Sequence, residues 1–313
     1  MKKAVIIIPT YNEVHDIENV LDSVFDTVSR IKNWKFSVLV IDSTSPDGTA
    51  ALVKKLQKNY NNLILLETKK EGLGKAYMTG FTYALEELNA DLLFEMDADF
   101  SHDPKVLPEF VKKIDAGADF VIGSRYKKGG SIPADWGLHR KIFSIGGNLI
   151  IRLGFMKLRV SDWTSGYRAI KSWVVKSSFS YIQNSTGYVF QVALLENALK
   201  LHAQVEEIPI NFVDRKYGVS KLDSSQYIKN TLWYVFTHSS FVKYVIVGGS
   251  GFVIDFGLSY LFIEKIHSNF PVWLAVVMSA EVAIIWNFIW NNYWTFSHKK
   301  VAHKLTDFLK SLV

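Results

Sequence analysis

The sequence predicts a three-layer α/β domain with a mostly parallel sheet, followed by a two-helix transmembrane hairpin. Three observations carry this. Short β-branched runs alternate with apolar stretches at helical spacing over residues 4–96. Polar clusters stand directly after the strand-like runs, at residues 10–13, 42–49 and 97–104, where the ligands of parallel sheets gather. Beyond Thr237 the composition changes, and two long apolar, aromatic segments follow.

Residues 4–8 read as the first strand. The preceding Met1-Lys2-Lys3 mimics a signal peptide, but Pro9 stops the apolar run short of the ~7–15 residues an h-region needs. Over 14–28, Ile17, Leu21, Val24, Phe25 and Val28 recur at helical spacing, so a helix with one apolar face follows. Strands are expected at 37–41, 63–67 and 92–96, and helices at 50–60 and 75–88. The α/β domain is expected to span 1–222, an interfacial amphipathic helix 223–240, the hairpin 241–298 and a tail 299–313.

The chain has 313 residues, 49% of them hydrophobic, enough for one large domain plus an appendage. Its 36 Lys+Arg against 30 Asp+Glu suit anionic partners such as phosphates and acidic lipids; nucleic acid is not expected among them. Absence of cysteine excludes disulfides and thiolate metal sites.

Residues 241–263 and 272–296 are each long enough to cross ~30 Å of hydrocarbon at ~1.5 Å per residue. Tyr244, Tyr260, Trp273, Trp290 and Trp294 near their ends favour membrane helices over buried core helices. Lys229 and Lys243 precede the hairpin, Lys299, Lys300 and Lys304 follow it, and the connecting loop holds only Lys265. The positive-inside rule then places both ends, and the α/β domain, in the cytosol. Asp255 and Glu281 fall within the spans, where they bind lipid headgroups, pair with Asn287 or Asn291, or fix helix assembly by hydrogen bonds. Tyr227, Ile228, Leu232, Trp233 and Phe236 beside Lys229 make 227–236 the expected interfacial helix.

Two motifs carry chemistry. Asp97-Ala98-Asp99 follows the apolar run 92–96, so two carboxylates at a strand end reach one hard divalent ion, Mg²⁺ or Mn²⁺. Such a triplet also recurs on surface loops; its strand-end position is what raises it. In the segment from Asp42 to Thr49, Asp42 is expected to accept hydrogen bonds from a base or ribose, whereas Asp47-Gly48-Thr49 reads as a turn and helix cap.

Together, Ile8-Pro9-Thr10-Tyr11-Asn12-Glu13, the Asp42 segment, Gly72-Leu73-Gly74-Lys75-Ala76, Met96-Asp97-Ala98-Asp99-Phe100-Ser101-His102-Asp103-Pro104 and Gly123-Ser124-Arg125-Tyr126 resemble glycosyltransferase family 2. The likeness continues through Asp162-Trp163-Thr164-Ser165-Gly166-Tyr167-Arg168, Gly187-Tyr188-Val189-Phe190-Gln191, residues 208–215 and Ser220-Lys221, and is strongest to the dolichol-phosphate mannose synthase group. The tail resembles half of a four-helix GtrA-like membrane domain, so the chain is either short by nature or a piece of a longer one. The resemblance implies a GT-A (Rossmann-like) fold and an inverting displacement. Pro9, Tyr11, Glu13, Ile41, Asp42 and Ser43 would hold the nucleoside. Asp97, Ala98 and Asp99 would position the diphosphate, and Asp97 and Asp99 the metal, with Ser101 a further ligand. Arg215 and Lys221 would clamp the diphosphate. Arg125, Arg140 and Ser144 would receive an acceptor phosphate, and Asp97, Asp99, Arg125, Arg215 and Lys221 form the implied catalytic set.

Chemistry agrees with a phosphate acceptor. An alcohol needs a positioned base, whereas a phosphate monoester is already anionic at neutral pH and needs only positive charge to bind. The chain also lacks the Gln-x-x-Arg-Trp pattern of processive polysaccharide synthases. The resemblance implies transfer of mannose from GDP-mannose to a polyprenyl or dolichyl phosphate at the bilayer. The group often carries a second acid where Ser43 stands, which weakens the inference to guanine and leaves UDP-glucose as the alternative donor. A non-enzymatic membrane protein that binds or moves lipid-linked sugar is the competing class; intact Asp97, Asp99, Arg125 and Arg215 argue against it.

Overall fold

The computed structural model describes residues 1–183, 187, 189–215, 224–266 and 271–297. The chain divides into two compact units, one of residues 1–152 and 157–231, the other of 153–156 and the chain from 232 onward.

The first unit is built on a seven-stranded sheet. In chain order its elements are β1 (Lys2–Thr10), α1 (Ile17–Ser29), β2 (Trp34–Asp42), α2 (Thr49–Leu56), β3 (Leu63–Glu67), α3 (Leu73–Glu86), β4 (Leu92–Glu95), α4 (Leu107–Asp115), β5 (Phe120–Ser124), α5 (Leu138–Gly154), β6 (Arg168–Lys171), α6 (Ser172–Ile182), α7 (Val189–Lys200) and β7 (Val205–Pro209). The strand order is β3-β2-β1-β4-β6-β5-β7. All neighbours are parallel except β6, which runs antiparallel to both β4 and β5. The expected strand at 92–96 ends at Glu95, and the helix expected at 50–60 ends at Leu56.

β1 sits near the middle of the sheet, and Ile6, Ile7 and Ile8 are wholly buried. On one face Ile6 and Ile8 join Val38, Val40 and Phe94 beneath the apolar stripe of α1, formed by Ile17, Val20, Leu21, Val24 and Val28. On the other, α3 approaches β1 so closely that a Cβ at Gly80 would stand 2.6 Å from Ile7 Cγ2. Tyr77 of α3 stacks on Phe190 of α7 and Phe81 meets the same ring at a tilt, closing this layer. Both faces are thus covered, as a parallel sheet requires.

In the second unit α9 (Ser240–Tyr260) and α10 (Val272–Trp290) each continue into a π-helical turn, Leu261–Ile266 and Asn291–Thr295. The apolar stretches Ser240–Lys265 and Val272–Thr295 have mean hydropathies of 1.7 and 1.9, and only 11% and 17% of their most apolar windows are buried, so they are not core helices. They pair antiparallel through small residues: Gly251 faces Asn287, and Ala275, Ser279 and Ala283 are buried. Asp255 accepts a 2.6 Å hydrogen bond from Ser279, which also meets Ser259, and Trp286 donates to Ser250. The carboxylate therefore pairs with a serine rather than with Asn287 or Asn291. Glu281 lies two residues beyond Ser279, about 200° round the helix, and is exposed. The helix α8 (Ser224–His238) covers the segment expected to be interfacial; on it Trp233 and Leu232 are exposed and Tyr234 and Val235 buried.

The Gly80 contact gives a test of the sheet–helix packing. Gly80→Ala should gain ~1 kcal/mol in helix propensity. Ile7 is β-branched and stiff, so the overpacking cost of ~1–3 kcal/mol should outweigh that gain. A lower urea midpoint with an unchanged slope is the expected reading; a raised midpoint would mean that the contact relaxes freely.

Candidate active site

Because β1, β2 and β4 are parallel neighbours, the turns that follow them meet at one edge of the sheet. Asp42, at the end of β2, ties two of these turns together. Its buried carboxylate accepts from Thr10 Oγ1 (2.9 Å), Ser45 N (2.8 Å) and Ser45 Oγ (2.6 Å). Ser43 N donates to Thr10 O, and Asn12 N to Ser45 Oγ. Asn12 and Thr44 adopt positive φ, 57° and 54°, to make these turns. Asp47 accepts from the N–H and hydroxyl of Thr49 and from Val14 N, so it shapes the start of α2, as the sequence indicated. Asp42 is likewise engaged in organising the loop, and its two oxygens already carry three protein hydrogen bonds. Tyr11 stands at the mouth with Lys70 Nζ 3.7 Å above its ring centre.

Asp97-Ala98-Asp99 leaves β4 into a tight turn in which Phe100 has φ 60°. Ser101 donates to Asp99 Oδ1 through both its N–H (3.1 Å) and its hydroxyl (2.6 Å), so it orients Asp99 while its hydroxyl oxygen keeps its lone pairs. His102 is buried, stacks on Tyr167, and accepts the Asp97 N–H at Nδ1 (3.0 Å). Burial pushes this histidine down to about 4, so the ring is neutral at physiological pH. Its 3.8 Å approach to the Asp97 carboxylate is therefore not an ion pair. Asp97 is raised to about 7, by desolvation first and by the Asp99 charge second, with Arg215 opposing. Arg215 Nη2 lies 3.1 Å from Asp99 Oδ2, and Nη1 4.0 Å from Glu13. The structure thus brings Glu13, Asp99 and Arg215 together across three loops. Lys221 lies outside the described residues.

The fit of a divalent ion can be judged from these donors. No cluster of three or more His, Cys, Asp or Glu able to hold a metal occurs among the described residues. Asp97 and Asp99 supply two carboxylates, which matches Mg²⁺-type binding completed by water and substrate phosphate rather than an all-protein cage.

The residues expected at an acceptor phosphate lie on another part of the cleft. Arg125 follows β5 and is nearly buried. Its Nε and Nη2 grip both oxygens of Asp162 (2.8 and 2.7 Å), and Nη2 also reaches Thr164. Burial alone would raise Asp162, but the Arg125 charge and hydrogen bonds hold it below the usual carboxylate range. Ser144 on α5 meets the Tyr126 hydroxyl at 2.5 Å. Arg140, at the start of α5, is half-exposed; it holds Asp214 bidentately (2.8 and 2.9 Å) and lies 3.9 Å over the Trp136 ring.

Sequence reasoning assigned no role to Asp162, His102 or Asp214, although all three stand inside the quoted motifs; spacing does not reveal a partner from a distant loop. It also missed α5. Ser144, Asn148 and Ile151 face inward along this helix, whereas Leu138, Ile142, Ile145 and Leu149 form an exposed apolar stripe. The 3.6-residue period of that stripe was available in the sequence.

Residues 5–178 match the family described as glycosyl transferase family 2. The chain belongs to this family. Residues 243–313 match the GtrA/DPMS transmembrane domain, so a glycosyltransferase domain and a membrane domain share one chain. It is 31% identical over 301 residues to a dolichol-phosphate mannosyltransferase of Pyrococcus furiosus, covering 94% of this chain and 81% of that one. It is 36% identical over 226 residues to a polyprenol monophosphomannose synthase of Mycolicibacterium smegmatis (72% and 82%), and 38% over 217 residues to an undecaprenyl-phosphate mannosyltransferase of Micrococcus luteus (69% and 86%). Among solved structures, glucosyl-3-phosphoglycerate synthase of Mycobacterium tuberculosis shares the fold, with a TM-score of 0.53 at 18% identity over 75% of this chain and 80% of that one. That enzyme has also been solved with Mn²⁺ and UDP-glucose.

The two arginines should differ in stability tests. Asp162→Ala strands the Arg125 charge in a buried site and should cost ~3–5 kcal/mol. Arg140→Ala removes a half-exposed pair and should cost at most ~1 kcal/mol. Asp162 titrates lower in the fold than when unfolded, so its contribution is present above the usual carboxylate range and lost as pH falls through the depressed value. Denaturant titration of both variants at neutral pH checks this; equal losses would contradict it.

Proposed function

We propose that this glycosyltransferase moves mannose from GDP-mannose to a polyprenyl (dolichyl-type) phosphate at the cytosolic face of the membrane, with inversion and with a divalent ion, Mg²⁺ or Mn²⁺. The observation that carries the acceptor class is α5. Arg140 and Ser144 sit on the same helix as the exposed apolar stripe of Leu138, Ile142, Ile145 and Leu149. An anion-binding group beside a lipid-facing surface fits a lipid phosphate better than a soluble one. The names of the relatives support mannose and a polyprenyl acceptor, and the lysine distribution around the hairpin supports the cytosolic side. The catalytic domain is taken as 1–222, joined through an interfacial helix over 223–240 to the hairpin over 241–298 and a cytosolic tail over 299–313.

In this reading Pro9, Tyr11, Glu13, Ile41 and Ser43 shape the nucleoside slot, and Asp42 acts by holding their loops. Asp97, Ala98 and Asp99 lie under the diphosphate; an ion held by the two carboxylates would supply charge neutralisation there. Arg215 turns from Asp99 to the diphosphate, with Lys221 as its expected partner. An acceptor phosphate oxygen attacks the anomeric carbon while the bond to the diphosphate breaks, and the nucleoside diphosphate leaves. No base is needed, because the nucleophile is already ionised. Arg140 and Ser144 would hold that phosphate. Arg125 presents a side chain already locked by Asp162, so it would act with its remaining edge, or by fixing the wall.

The test is to incubate membranes containing the protein with labelled nucleotide sugars and a polyprenyl phosphate. Mannose from GDP-mannose should enter the lipid phase, and chelator or Asp99→Asn should remove most of the transfer. Glucose from UDP-glucose entering instead would support the second reading, which the serine at position 43 motivates. Arg140→Ala should weaken acceptor use by ~10- to 150-fold, the equivalent of a charge-assisted contact, and leave nucleotide binding unchanged. Collapse of donor affinity with a normal acceptor titration would exchange the two phosphate assignments.

A further inference from the structure

We propose that Asp214 is a specificity-determining residue of the acceptor site: its carboxylate occupies the anion seat on Arg140, and an incoming phosphate must displace it. This rests on the reading of Arg140 as an acceptor-phosphate ligand. The carboxylate is placed as a phosphate would be. Both of its oxygens face the guanidinium, at 2.8 and 2.9 Å, the bidentate geometry arginine offers to carboxylate and phosphate alike. Trp136 Nε1 donates to the same Oδ2 at 2.8 Å, and the Trp136 ring lies beneath the guanidinium. Phe212 packs edge-on against that ring. The seat is therefore a cation resting on an aromatic platform with an indole N–H beside it.

The pair is exchangeable because it is open to water. Its side chains are 47% and 37% exposed, unlike Arg125 and Asp162, at 11% and 0%. An exposed pair is held weakly, so a dianionic phosphate can replace the carboxylate, whereas a neutral polyprenol has no charge with which to do so. Asp214 would thereby discriminate against alcohols as well as cover the arginine. Its chain neighbour is Arg215, which reaches Asp99 on the donor side through a single nitrogen. In this reading two adjacent residues of opposite sign serve the two phosphate sites, Asp214 as the occupant of one and Arg215 as the cation of the other.

The experiment is an acceptor titration at saturating nucleotide sugar, using the full chain in detergent and a short-chain polyprenyl phosphate. Asp214→Asn should lower the acceptor KM about two- to fivefold, the range an exposed ion pair supports, and leave the donor KM unchanged. Inorganic phosphate should also become a stronger competitor of the acceptor. Adding Arg140→Ala to Asp214→Asn should abolish the gain. If Asp214→Asn does not accumulate as folded protein, Asp214→Ala is used, with the same expectation. An unchanged or higher acceptor KM in the Asp214 variant, with the usual loss in Arg140→Ala, would make Asp214 a structural latch and overturn the proposal while leaving the acceptor reading intact. If Arg140→Ala leaves the acceptor KM unchanged, the acceptor reading falls, and this proposal with it.

Discussion

Burial of β1 on both faces is the constraint on which the site depends. Its isoleucines are covered by α1 on one side and α3 on the other, and its two edges are taken by parallel neighbours, β2 and β4. Parallel strands end on the same edge, so the turns after β1, β2 and β4 must meet there. Glu13, Asp42, Asp97 and Asp99 come from different parts of the chain and converge because that sheet cannot be covered in another register without exposing its apolar residues. The antiparallel β6 adds a second consequence. It sets Arg168 directly across from Glu95, and the two charges meet in the interior immediately before the Asp97 turn.

Among the described residues, Asp42, Arg125, Arg140 and Arg215 each have a partner within the protein, and the partners fall into two kinds. Asp42 and Arg125 are buried against Thr10, Ser45 and Asp162, where removing one group would strand another in a medium of low dielectric. These contacts set shape. Arg140 holds Asp214 from an open position, and a contact of that sort exchanges readily for another anion, while Arg215 is partly exposed over a buried Asp99. The buried contacts keep the walls of the cleft fixed, and the open pair keeps Arg140 placed within reach of an incoming anion.

Much of the site was legible because its residues stand in short runs after apolar strands. The strand-end position of the Asp97 triplet and the turn at Asp47 could be read from order and spacing. Ser101 was read only as a metal ligand, and its two hydrogen bonds to Asp99 could not be read, because they depend on the turn at Phe100. Asp255 found Ser279 rather than an asparagine because the register of two antiparallel helices decides which residues meet, and composition carries no register. The apolar stripe of α5 had a readable period, but its neighbours Arg140 and Ser144 drew the reading toward ligand chemistry, and the interfacial role was given only to the later helix.

The sequence by itself determined the α/β class, the order of the first strands, the membrane hairpin and the residue types at the cleft. It did so because hydrophobic periodicity and strand-end polarity are local properties, written within a few residues. Only the tertiary structure decided which charges are spoken for: Arg125 by Asp162, Arg140 by Asp214, Arg215 by Asp99. Each of these pairs joins residues tens of positions or more apart, and such an interaction exists only once the sheet and its loops have brought the two side chains within about 3 Å, a distance that neither partner's own neighbourhood in the chain encodes.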